Sequence, residues 1–124
     1  MAEMSEDFIP FELAVKLKEK GFNYPCIGHY FNNQLYIAHY QNAFHSDKNE
    51  TFDAPAISQV LKWLRKEKRI DVGAIWDNRD GKWIGYVNEM DMPDLVGEYM
   101  LHNTCDSYEQ AAIAVIEYVL DNLI

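Results

Sequence analysis

The closing segment of the chain constrains the fold most. Ser107-Tyr108-Glu109-Gln110 fits a capping box, and Asp106 and Glu109 favour the positive end of a helix dipole. Ala111, Ala112, Ile113, Val115, Ile116, Val119, Leu120 and Leu123 then cover most of a helical circumference. A helix apolar over so wide an arc cannot stand at a surface. It needs a central place, packed across a sheet.

The sheet is announced upstream. Cys26-Ile27-Gly28-His29-Tyr30-Phe31 and Gln34-Leu35-Tyr36-Ile37-Ala38-His39 flank Asn32-Asn33, and asparagine tolerates positive φ. Residues 72–76 and 82–87 flank Asn78-Arg79-Asp80-Gly81, whose Asp-Gly pair is a stronger hairpin signal. Each hairpin follows a helical pattern. Pro10 opens one over about 10–20, stopped by Gly21; Pro55 opens the other, with Ile57, Val60, Leu61 and Leu64 on one face and Trp63 beside it. Residues 41–53 and 89–103 read as loops. The order predicts an α+β fold, α-β-β-α-β-β-α, with a four-stranded antiparallel sheet packed against helices. Shifting the chain by 48 residues lays one helix-hairpin unit on the other, matching Leu13 with Leu61, Glu19 with Glu67, Lys20 with Lys68 and Ile27 with Ile75. A flexible tail is expected over 1–9 and a single domain over 10–124, a normal size for one core.

Charge excludes some roles. Residues 1–70 hold nine acids and nine bases, whereas 71–124 hold eleven acids against Arg79 and Lys82, so the net charge of −9 belongs to the second stretch. The one basic cluster, Lys62, Arg65, Lys66, Lys68 and Arg69, surrounds Leu61 and Leu64 and reads as the wet face of a helix. Direct nucleic-acid binding, which needs a cationic footprint, is not expected. No apolar run approaches the roughly 20 residues of a membrane span, and the acidic start lacks the basic and apolar parts of a secretory signal. The expectation is a cytoplasmic protein with reduced thiols.

Chemistry-bearing residues are few. A two-residue loop would place Cys26 opposite His39 and His29 on the other face, a pair able to begin a zinc site or a nucleophile-base couple. His45 lies in the next loop, and Cys105 just before the last helix, where a thiolate is favoured but Asp106 opposes it. No third ligand is evident, so no metal, cofactor or catalytic residue is assigned. Glu89-Met90-Asp91-Met92-Pro93-Asp94 with Glu98 lacks the pattern of an EF-hand loop, and its methionines with Tyr99 suit an adaptable contact surface. The hairpins are apolar on both faces: Val72, Ala74, Trp76, Trp83 and Val87 against Ile75, Ile84 and Tyr86, and Tyr30, Leu35 and Ile37 against Ile27, Phe31 and Tyr36. An antiparallel sheet with one wet face alternates more cleanly. Either helices cover both faces or one face meets a partner; with only three helices the second is favoured, with Tyr30, Tyr36, Trp76, Trp83, Tyr86, Asp91, Asp94 and Glu98 as the candidate surface and a homodimer or another protein as the partner.

Three segments carry a family resemblance: Leu17-Lys18-Glu19-Lys20-Gly21-Phe22-Asn23-Tyr24-Pro25-Cys26, Ala54-Pro55-Ala56-Ile57-Ser58-Gln59 through Trp63-Leu64-Arg65, and Ser107-Tyr108-Glu109-Gln110-Ala111. Together they resemble small uncharacterised proteins encoded in phage and prophage regions of gut anaerobes, over most of residues 11–120. The loops 41–53 and 89–103 do not match. The resemblance implies a mobile-element accessory protein and transfers no catalytic role. The expected function is a non-enzymatic protein-binding module. The alternatives are an acidic decoy for a basic nucleic-acid-binding protein or nuclease, presenting acids from Asp71 to Glu98, and a small thiol- or metal-dependent enzyme around Cys26, His39 and Cys105.

Overall fold

The computed structural model describes residues 7–37, 51–91 and 104–124. In order these form α1 (Phe11–Glu19), β1 (Gly28–Phe31), β2 (Gln34–Ile37), β3 (Thr51–Asp53), α2 (Ile57–Trp63) with a π-helical turn (Leu64–Lys68), β4 (Ile70–Asp77), β5 (Lys82–Glu89), β6 (Thr104–Cys105) and α3 (Tyr108–Asn122). The fold is α+β and its sheets are antiparallel. The expected four-stranded sheet is corrected to two three-stranded sheets, ordered β2-β1-β3 and β4-β5-β6. Both expected hairpins form, and each gains a short third strand: β3 at the end of the expected loop 41–53, and β6 just after the expected loop 89–103. The chain divides into two compact units, Met1–Gln59 and Val60–Ile124. The third strand joins the first hairpin strand in one unit and the second in the other, so the two sheets do not repeat one topology.

In the first unit α1 presents Leu13, Ala14 and Leu17 to the core. It ends in a Schellman motif: the Phe22 N–H donates to Leu17 O at 3.0 Å and the Gly21 N–H to Lys18 O at 3.2 Å, with Gly21 at φ +90°. The β1–β2 turn is Asn32-Asn33, with φ of 53° and 67°, the left-handed pair of a type I′ hairpin. This fixes Phe31 opposite Gln34 and His29 opposite Tyr36, while β3 sets Tyr30 opposite Phe52 and His29 opposite Asp53. On one face the Phe11 ring meets Tyr30 and Phe52 edge-on, each at 5.5 Å. Residues 7–9, expected in a flexible tail, are instead tied down. Phe8 and Ile9 are buried, Ile9 N–H donates to Pro55 O, and Asp7 O accepts from Ile57 N–H. Their apolar side chains explain the difference. A Cβ on Gly28 would lie 2.6 Å from Ala54 O and 2.8 Å from the Phe8 ring.

In the second unit β4 and β5 pair over eight residues each, from Ile70↔Glu89 to Asp77↔Lys82. Gly81, at φ +65°, closes the turn, its N–H donating to Asp77 O at 2.8 Å. The Asp77 carboxylate accepts from the Arg79 N–H. α3 lies across the sheet face that holds Val72, Gly85 and Val87. A Cβ on Gly85 would sit 1.9 Å from Val115 Cγ2, so only glycine admits the helix this closely. Ala111, Ala112, Val115, Ile116, Val119 and Leu120 are all buried, while Ile113 and Leu123, also in the arc read from the sequence, are half-buried. Ser107 Oγ accepts from the Gln110 N–H, while Gln110 Oε1 accepts from the N–H of Asp106, one residue before the expected position. No helix among the described residues is long and apolar enough to cross a membrane.

Candidate functional site

The edge of the second sheet carries the most unusual surface. Trp76 is 49 % exposed and Ile75 44 %, adjacent residues pointing to opposite faces of β4. Trp76 opposes Trp83, their rings 5.3 Å apart in a T-shape, and Trp83 meets Tyr108 of α3 edge-on at 5.5 Å. An aromatic ladder thus runs from the helix to the rim, and its last rung is wet. Edge-to-face packing of this kind is worth about 0.5–1.5 kcal/mol per pair beyond area burial, which holds Trp76 in place. β6 anchors the far side, with Cys105 opposite Trp83. Lys82 donates to the Asp106 carboxylate, whose pKa is held below its ordinary value by that hydrogen bond and then by the lysine charge.

The hydrogen-bonding phase of β4 follows from one contact. Met90 N–H donates to Arg69 O at 3.0 Å, continuing the register that sets Ile70 opposite Glu89. Carbonyls alternate along a strand, so the amides and carbonyls of Asp71, Gly73, Ile75 and Asp77 point to β5. Those of Ile70, Val72, Ala74 and Trp76 point outward, and among the described residues no strand pairs with that edge. The exposed half, residues 74–77, therefore joins outward backbone groups to two large apolar side chains. β4 carries no lysine, arginine or proline; its only charges are Asp71 and Asp77, at either end of the stretch that holds Ile75 and Trp76.

A second cluster lies in the first unit. His29 is fully buried, its Nε2 3.6 Å from Asp53 Oδ1 across the β1–β3 pair. Cys26 is buried too and donates its Sγ proton to Tyr24 O at 3.2 Å. Desolvation, and then the charge of Asp53, push this thiol to about 12. At neutral pH the buried thiol therefore keeps its proton. Asp53 was read as loop because the stretch between β2 and β3 gives no local pairing signal. Only the β-prone pair Thr51-Phe52 hints at a strand there.

The other candidates scatter. Tyr30 is core rather than surface, 9 % exposed with its hydroxyl donating to Ile9 O at 2.8 Å, because α1 covers its face. Tyr36 is exposed in the first unit, beside His29 on the face away from Phe11. Tyr86 belongs to the second sheet's other face, its ring lying over Gly73. Asp91 is bound by Arg69 Nε at 2.9 and 3.0 Å. Cys105 is half-buried and belongs to a different unit from Cys26. Among the described residues no group of three or more His, Cys, Asp or Glu could hold a metal ion. His39, His45, Asp94 and Glu98 lie outside the described residues, and with them the Cys26–His39 pairing. Comparison with known proteins finds no match: no protein-family model, curated protein or solved structure is similar to this chain. The resemblance to phage-encoded proteins therefore rests on its three segments alone.

Proposed function

We propose that this chain is a non-catalytic module that binds protein through the β4 edge of its second unit. One observation carries the reading: Ile75 and Trp76 are exposed on an edge whose outward backbone groups have no strand partner among the described residues. Water is a poor neighbour for two such side chains, and a rigid, ladder-braced tryptophan is a good anchor because little freedom is lost on binding. The raised thiol of Cys26 supports the non-catalytic half of the reading, since burial and the neighbouring Asp53 charge disfavour its thiolate.

The test is photo-crosslinking in producing cells. A benzophenone amino acid replaces Trp76 in one variant and Asn33, in the exposed β1–β2 turn, in another. A discrete protein adduct at 76 and not at 33 is the expected result. No adduct at 76, or equal adducts at both, would refute the reading.

A further inference from the structure

We infer that the β4 edge is completed by β4 of a second copy of this chain, antiparallel and centred on Ile75. This rests on the reading above and names the partner. A two-fold axis pairs residue i of one copy with j of the other and j with i, so the two numbers have a constant sum. Only the even-numbered residues of β4 point their amides and carbonyls outward, so hydrogen-bonded pairs require an even sum. Few registers then remain, and side chains separate them.

A sum of 148 sets Asp71 against Asp77 of the second copy, two like charges face to face, which is destabilising. Sums of 144 and 146 centre the contact on Val72 or Gly73, in the buried half of the strand. A sum of 152 sets Ile75 against Asp77. A sum of 150 sets Ile75 against Ile75 and Ala74 against Trp76, small against large, and both exposed apolar side chains are covered at once. The Ile75 pair falls at a non-hydrogen-bonded site, where side chains approach most closely. One charge pair agrees with this register: Asp71 comes level with Arg79 of the second copy, and symmetry makes the pair twice. Two three-stranded sheets would become one of six.

The register has a covalent test. In a Cys105→Ser background, Ile75→Cys, Ala74→Cys and Trp76→Cys are oxidised with diamide in the full chain. Non-hydrogen-bonded partners have Cα atoms about 4.5 Å apart, within disulfide range, whereas the other two positions are offset from their own copies. Both thiols lose a proton and the oxidant takes two electrons, so one S–S bond forms per dimer. Dimer is expected fastest at position 75, and native mass spectrometry of the unmodified chain should show a doubled mass. Ala74→Pro removes an outward N–H and leaves the β4–β5 ladder whole; it should halve that mass with the far-ultraviolet circular dichroism unchanged. Fastest crosslinking at 76, or an Ala74→Pro chain that still dimerises, would overturn the inference. So would a monomeric unmodified chain. In that case a photo-adduct from position 76 to another protein would leave the binding reading standing, and its absence would sink both.

Discussion

Gly85 sits where α3 comes closest to the second sheet, and its replacement offers a sharp trial of the packing. In Gly85→Ala the new Cβ would lie 1.9 Å from Val115 Cγ2, 3.4 Å from Val115 Cβ and 3.1 Å from Ala111 O. Carbon atoms rest at about 3.5–4.0 Å, so more than about 1.5 Å of separation has to be found. A helical valine has one favoured rotamer and little room to turn away. The helix must lift, at a cost of about 3 kcal/mol, the upper part of the overpacking range. Val115→Ala alone loses two buried methyl groups at ~0.8 kcal/mol each and leaves a small cavity, for a total of about 2 kcal/mol. Together the two changes remove two methyl groups at position 115 and add one at position 85, in the space that Cγ2 vacates. The double variant should lose about 1–2 kcal/mol rather than the roughly 5 kcal/mol of the sum. Urea unfolding followed by far-ultraviolet circular dichroism gives all four corners of the cycle. Additivity within about 0.5 kcal/mol would refute the claim that this glycine exists to admit this valine.

The other predictions concern the two cysteines and the β1–β2 turn. Iodoacetamide at pH 8 should modify Cys105 in the folded chain well before Cys26, and both alike in urea; equal native rates would contradict the burial of Cys26. The thiol ionises at about 12 when folded and from its ordinary 9.0 when unfolded, so between those values the folded state holds the extra proton. Stability should therefore fall as pH rises through that window, and Cys26→Ala should flatten the fall. In the β1–β2 turn, Asn33→Val should cost about 1–2 kcal/mol at φ +67°, while Asn33→Gly should be neutral or stabilising, as thermal unfolding would register.

What could be read from the chain depended on how far apart the interacting residues lie. The Asn32-Asn33 and Gly81 turns, the Gly21 stop and the Ser107 cap each need information from a few neighbouring residues, and each stands where its local chemistry puts it. β3 and β6 are three and two residues long, too short for a period to show. Their pairing with β1 and β5 depends on tertiary packing, and missing them turned two sheets into one. The candidate site was half legible for the same reason. The apolar character of both hairpin faces pointed to Trp76 and Trp83, but treated Tyr30 as their equal. Nothing local reveals that α1 covers Tyr30 whereas Trp76 stands at the rim. Asp53 acquires meaning only once β3 lies beside β1.

The placement of the three tryptophans, Trp63, Trp76 and Trp83, has a practical side. All belong to the unit Val60–Ile124, and Met1–Gln59 has none. Indole emission is thus a native label on one half of the molecule, whereas far-ultraviolet circular dichroism samples both. Melting curves from the two signals coincide only if the halves lose structure in a single cooperative event, and separate if each has its own midpoint. The sequence has in effect installed its own reporter for the independence of its parts.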